Sequence, residues 1–360
     1  MSLAAHILDY VLGKIFEIAK ESLRFKDEFL EYDVTALLRS YSDQHGRFSE
    51  QIPYAEEACF IKDNWADTLV CAGALGVKCL DPWFDLSHRD PEVAQYQQAA
   101  YERMIQTGKV TGEDTTVVRL LRYDAHTQTL ELQRAKYSQQ AKSNLVLDWD
   151  GSSIHRSFSF GTLRKKLSAQ HGRQLPPLTD QLLANTVGIA AMILFKAESG
   201  EYLPYLQKRA DGLAVFPGAY HCTASGATQT PLRHQWDGDR FSFADIFVDD
   251  MFRELYDEVG LSKNEIRDFV PGALCREYLR GGKPQVFFVG VTDLGPDELK
   301  QRRKAAIARK GKAGIKEIEA RAITPRSADE FRDFLLKPKI TLETLPALYY
   351  ADKYAQIRFK

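Results

Sequence analysis

The rhythm of apolar and polar positions divides the chain into a mixed first half and a second half with plainer grammar. Residues 187–195 form an unbroken apolar run that predicts a buried strand. Glu198-Ser199-Gly200 predicts a turn, and residues 202–208 a returning strand. A loop rich in small residues, 216–226, leads to a helix predicted over about 242–259. Residues 269–279 and 285–291 then predict a hairpin through Arg280-Gly281-Gly282-Lys283, followed by a basic segment, a short strand near 315–323 and terminal helices. In the first half, 7–22, 91–107 and 161–170 carry helical patterns, and 116–123 with 129–134 predict a second hairpin. The stretch 172–177 holds Pro176 and Pro177, which cannot continue a helix, and predicts a linker. Strands around one central helix, with helices after them, predict a mixed α/β layered fold.

The helix near 242–259 carries the chemistry. At about 100° per residue, Val248, Met251, Phe252, Leu255 and Val259 share one apolar stripe, and Gly260 supplies a C-terminal stop. Asp250, Glu254, Asp257 and Glu258 occupy a separate arc beside that stripe. Like charges so spaced repel by ~0.2–0.5 kcal/mol per pair, and a hard divalent cation removes the penalty by taking carboxylate oxygens as ligands. The bland reading of the same arc is an acidic face turned to solvent.

Composition narrows the class without naming a chemistry. The 360 residues are 44% hydrophobic and 27% charged, with a net charge of −1, so no overall field draws the chain to nucleic acid or an acidic membrane. The odd number of cysteines, five, argues against a disulfide framework and fits a reducing compartment. The apolar runs are too short for a membrane-spanning helix. Asp9, Lys14 and Glu17 interrupt the apolar N-terminus, which reads as an amphipathic helix rather than a signal peptide. A soluble, cytoplasmic protein is expected.

The order Arg253-Glu254-Leu255-Tyr256-Asp257-Glu258-Val259-Gly260-Leu261 resembles the second half of the Nudix box, R-E-U-x-E-E-x-G-U with U aliphatic. Six of the seven specified positions match, and Asp257 stands for Glu at the seventh. The resemblance extends to the order of elements over about 185–360. It implies a Nudix-type mixed-sheet α/β/α sandwich over 186–360, joined through a segment at 175–185 to a separate α+β N-terminal domain over 1–174 of unassigned role. It further implies a metal-dependent hydrolase, using Mg²⁺ or Mn²⁺, that cleaves the diphosphate bond of a nucleoside diphosphate linked to another moiety. By that resemblance Glu254 and Glu258 are metal ligands, Asp257 is a third ligand or a positioner of water, and Arg253 orients the carboxylates. A plain helix ladder from Arg253 to Asp249 and Asp257 accounts for the arginine equally well.

The start of the box departs from the family pattern. Asp245 stands at an expected Glu, and Ser242-x-x-Asp245 is also a capping-box pattern. Gly226 is taken as the expected Gly, which implies an insertion over about 229–241. Within it Trp236, flanked by Arg233, His234 and Arg240, suggests a lid that stacks on substrate. Arg209 and Gly226 complete the expected substrate contacts. The general base is sought at Glu277, Glu317 or Glu319.

Rival readings remain open. Cys222 in His221-Cys222-Thr223, with Glu277, resembles loosely the arrangement of isopentenyl diphosphate isomerase, a Nudix relative. A nucleotide sensor that binds with little or no hydrolysis is another class, with the first half as effector module. The seven basic residues over 300–312 could bind RNA, although such a run is more often a solvated helix face. Trp65, Trp83 and Trp149 read as core or interface anchors, and Asp148-Trp149-Asp150-Gly151 as an acidic turn too sparse for a calcium loop. The expected partner is a small diphosphate compound; a homodimer is left open.

Overall fold

The long apolar run becomes strand β5 (Gly188–Lys196), buried on both faces because helices cover it from each side. A computed structural model describes residues 72–81, 83–86, 90–110, 112–149, 158–172, 174–210, 218–231, 236, 241–335, 340–341 and 343–359, with the backbone alone for 59–64, 311–321 and 335. The readings at 7–22, Trp65, Arg233, His234 and Arg240 lie outside the described residues, as do the side chains of Glu317 and Glu319.

In the first half the elements are β1 (Cys59–Asn64), β2 (Gly76–Leu80), α1 (Pro91–Gln106), β3 (Thr116–Asp124), β4 (Thr129–Lys136), α2 (Tyr137–Lys142) and α3 (Leu163–His171). After β5 come β6 (Tyr202–Pro204), β7 (Leu206–Arg209), β8 (Tyr220–His221) and β9 (Ala224–Ala227). A π-helical turn (Ala244–Val248) runs into α4 (Asp249–Val259), and then follow β10 (Arg267–Glu277), β11 (Lys283–Thr292), α5 (Pro296–Glu317), β12 (Ile318–Ile323), α6 (Ala328–Leu335) and α7 (Thr344–Arg358). The predicted return strand is thus two short strands that serve different sheets.

The main sheet has the order β1-β10-β11-β5-β6, with β9 also paired to β5. β11 and β5 run parallel and the other pairs antiparallel, so the fold is mixed α/β. On one face Ile189, Ala191 and Ile193 meet Met251, Leu255 and Val259 of α4; on the other Ala190, Met192, Ala273 and Phe287 meet Tyr350, Ala351 and Tyr354 of α7. The small sheets are β12-β7-β8 and β2-β4-β3.

The core runs across the expected boundary at 175–185. Leu75, Val77, Val118, Leu130 and Leu132 from the first half share one apolar cluster with Val187, Ile189, Phe243 and Leu255. The backbone of β3 bonds to the segments flanking β5 and β9, through Val118 N to Thr228 O (2.9 Å) and Val187 N to Val118 O (2.8 Å). Leu175, inside the predicted linker, is buried. Trp149 is a core anchor, as its pattern predicts, whereas Trp83 is 39% exposed beneath Arg134 and Lys136.

Arg164 of α3 makes the tie between halves most specific. It forks onto Asp148 (2.6 and 2.7 Å) and donates to the carbonyls of Tyr278 (3.2 Å) and Leu279 (2.6 Å), at the turn between β10 and β11. Arg164→Met should lower unfolding free energy by about 3–5 kcal/mol, because it strands a largely buried carboxylate and two buried carbonyls. Chemical denaturation at neutral pH checks this; a loss below ~1 kcal/mol would place the pair with ordinary surface ion pairs.

Candidate active site

α4 delivers the acidic arc, and its local chemistry explains how. Asp245 Oδ2 accepts from Ser242 N (2.8 Å) and Ser242 Oγ (2.6 Å), while Asp245 N donates back to Ser242 Oγ (3.2 Å). That is the capping-box arrangement, and it occupies the carboxylate at the helix entrance. Gly260 ends the helix in left-handed backbone at φ 76°. Between them, Met251, Leu255 and Val259 are buried and Tyr256 is exposed, so the acids flank the buried stripe.

Glu254 and Glu258 line a cavity of about 330 Å³. Arg209 and Gly226 line it too, so four of the predicted site residues meet in one place. Glu258 Oε2 accepts from Ser225 N (3.3 Å). A Cβ at Gly226 would stand 2.8 Å from Glu254 Oε1, so glycine lets the strand pass that close to the carboxylate without displacing it. Burial pushes Glu254 up to about 7, against the pull of Arg253.

Arg253 keeps only the Asp257 side of the predicted ladder, and its closer partners lie elsewhere. Its Nη2 donates to Glu254 Oε1 (2.7 Å) and to Asp250 Oδ1 (2.7 Å), and Asp250 Oδ2 accepts from Gln229 N (2.9 Å). Asp249 instead faces Lys263 (3.5 Å). Asp257 lies 3.9 Å from Arg253 with its side chain 39% exposed, and it is not among the cavity-lining residues. The expected third ligand at Asp257 therefore does not join Glu254 and Glu258 in lining the cavity.

Two further expectations need correction. Trp236 is no lid: its ring is buried against Phe241 and its Nε1 donates to Leu80 O (3.2 Å), so this side chain anchors the core. Glu277 lies behind the cavity wall rather than in it. Its Oε2 is 3.3 Å from Arg280 Nε, and burial pushes it up to about 7 against the pull of Arg280. Its contact is with Arg280, which does line the cavity.

The rest of the cavity comes from residues the motif does not include. Lys109, Tyr137 and Gln140 enter from the first half, Lys208 from β7, Arg280 and Lys283 from the β10–β11 turn, and Glu343 from the approach to α7. Arg280-Gly281-Gly282-Lys283 reads as a turn in sequence; cations on both sides of the Gly pair were the only hint of more. Glu343 lies 3.8 Å from His221 Nε2 and 3.9 Å from Arg280 Nη2. Burial alone would raise its carboxyl, but Arg280 and the other surrounding cations bring it down to about 2. The basic run at 300–312 is partly consumed by the fold: Arg302 pairs with Glu265 (2.6 Å), buried Arg303 donates to Gln207 (3.0 Å) and Arg309 to Tyr256 O (2.9 Å).

His221 is buried with Nδ1 2.9 Å from Thr341 Oγ1 and Nε2 2.5 Å from Ser225 Oγ. Burial drives its pKa down to about 3, against the pull of Glu343. A folded value below the unfolded value near 6.5 means this histidine costs no stability above that pH and progressively more as pH falls toward 3. Glu277, raised in the fold, works in the opposite direction between about 4.5 and 7. The histidine contribution is therefore read as a difference: between pH 7.5 and 5, wild type should lose about 2 kcal/mol more unfolding free energy than His221→Gln. Identical pH profiles in urea unfolding would refute the neutral-histidine assignment.

Among the described residues, no group of three His, Cys, Asp or Glu side chains converges as a metal cage. Glu254 and Glu258 still suit Mg²⁺, which is held by one or two carboxylates and completes its shell with water and phosphate oxygens. No family model and no curated protein matches this chain. A crystal structure of DR0079 from Deinococcus radiodurans is similar over 46% of this chain and 83% of its own, at 14% identity and a TM-score of 0.29. No helix among the described residues is long and apolar enough to cross a membrane.

Proposed function

We propose that this chain is a Nudix-type hydrolase that cleaves the diphosphate bond of a nucleoside diphosphate linked to another moiety, with Mg²⁺ or Mn²⁺. The observation that carries the reading is a cavity with two chemistries: the carboxylates of Glu254, Glu258 and Glu343 line it together with the cations of Arg209, Arg280 and Lys283. A diphosphate needs both, since its oxygens can share a cation with carboxylates while guanidinium and ammonium groups neutralise the remaining charge. The sheet between α4 and α7 supports the sandwich expected of that family. Glu254 and Glu258 would hold the ion, which supplies Lewis-acid polarisation of the phosphoryl oxygens and a more acidic water. Arg209 and Arg280 orient the diphosphate, and Arg253 keeps Glu254 turned to the cavity.

Two observations keep a sensing role in view as a second reading: Asp257 is drawn to Arg253, and no third carboxylate joins the pair on α4. Incubating the full chain with a panel of diphosphate-linked nucleosides and added Mg²⁺ or Mn²⁺ separates the two. Metal-dependent release of a monophosphate product supports the hydrolase, and tight binding without turnover supports the sensor. The isomerase reading has Cys222 in the cavity wall, but burial pushes its thiol up and Glu277 is set behind the wall. Turnover of a prenyl diphosphate that is lost in Cys222→Ala would restore it.

A further inference from the structure

We propose that Lys283, Gln285 and Arg280 form a phosphate-binding subsite at the starting ends of β5 and β11, in the cavity that also holds the α4 carboxylates. It rests on the reading of the cavity as a diphosphate site and gives one phosphate group a place of its own. Gln285 lies at the start of β11 in register with Gly188 of β5, and its side chain shares the sheet face that carries Phe287 and Val289 under α7. Glu254 approaches from α4 on the other face, past Gly226. The cavity therefore lies at the ends of these strands and draws charged groups from both faces of the sheet.

Gln285 is 1% exposed, lines the cavity, and its Oε1 accepts from Lys283 Nζ (3.2 Å). Its Nε2 has no hydrogen-bond partner among the described residues. A buried amide donor with no acceptor loses its water for nothing, and that calls for a reason. An anion in the adjoining cavity supplies one. Cations outnumber acids around it: Lys283, Arg280 and Arg209 line the cavity, against the carboxylate of Glu343, which lies 3.9 Å from Arg280. Space has been made for the pair. A Cβ at Gly188 would overlap both Gln285 Oε1 and Lys283 Nζ, so β5 starts with glycine where these side chains cross it. A fixed donor beside an ammonium and a guanidinium suits a phosphate, which offers several acceptor oxygens to one small volume.

The test is a titration of the full chain with inorganic phosphate in the absence of metal, followed by calorimetry and by the rise in melting temperature. Wild type should bind phosphate, and acetate at equal concentration should leave it unchanged. Gln285→Glu keeps an acceptor for Lys283 but replaces the donor with a negative charge, and should weaken phosphate at least tenfold without lowering the melting temperature of the free chain. Lys283→Met should weaken it similarly; if that variant does not fold, Gln285→Glu decides. Phosphate binding that is absent in wild type, equal in Gln285→Glu, or matched by acetate overturns the subsite. Failure of wild type to turn over any diphosphate, with the phosphate results as expected, would instead remove the hydrolase reading and leave the subsite standing.

Discussion

Glu258→Gln should reduce metal-dependent turnover by roughly two to three orders of magnitude, the scale on which a single aligned electrostatic group acts in an active site. Its fold should survive. The side chain lies off the apolar stripe formed by Met251, Leu255 and Val259, and Gln retains an oxygen to accept from Ser225 N, the 3.3 Å contact made by Glu258. Only the charge is lost, and charge is what a hard cation requires of its ligand. Asp257→Asn makes the matching control. Asp257 is two-fifths exposed and 3.9 Å from Arg253, so neutralising it should change turnover less than about threefold, as expected of a surface pair with little energetic weight. Steady-state kinetics with Mg²⁺, together with melting curves for both variants, decide the matter. Wild-type rates in Glu258→Gln, or an equal collapse in Asp257→Asn, would sink the assignment of the helix carboxylates.

What could be read in advance depended on how locally each feature is encoded. The strand at β5, the hairpin of β10 and β11 and the stripe of α4 are periodic over their own length, and they form where the pattern puts them. Gly226 and Arg209 follow from the resemblance, Arg209 at the end of the return strand and Gly226 after the small-residue loop, and both reach the cavity with Glu254 and Glu258. Failures came where position in the chain says little about position in space. Trp236 between cations looks the same in sequence whether its ring faces ligand or core, and here Leu80 O from the first half claims its N–H. Glu343 belongs to the site only because α7 packs across the sheet, more than a hundred residues from His221 and close to it in the fold. Lys109, Tyr137 and Gln140 come from the region assigned to a separate domain, and no local pattern announces that β3 would bond to the flanks of β5 and β9.

A large stability effect, with a consequence for the site, should come from Gly260→Ala, two residues beyond Glu258. Gly260 has φ 76°, and its N–H donates to Tyr256 O (3.0 Å) while Leu261 N donates to Leu255 O (3.2 Å), closing the last turn of α4. Alanine in left-handed backbone costs about 1 kcal/mol. A second cost is added here, because the new Cβ would stand 2.5 Å from the backbone oxygen of Arg302. That backbone belongs to α5 and cannot move freely: Arg302 is paired to Glu265 at 2.6 Å, and the neighbouring Arg303 is buried against Gln207 at 3.0 Å. A total loss of about 2–4 kcal/mol is expected, the range for overpacking added to an unfavourable backbone conformation. Gly200→Ala isolates the first part, since Gly200 has φ 87° with nothing within 4 Å of its absent side chain, and should cost only about 1 kcal/mol. Urea unfolding of the two variants measures the difference directly. Because α4 must shift or fray to admit the methyl group, Gly260→Ala should also lose turnover at temperatures where it is still folded, while Gly200→Ala should not. Equal destabilisation of the two would mean that α5 yields to the helix end, and that the acidic wall of the cavity is held by α4 alone.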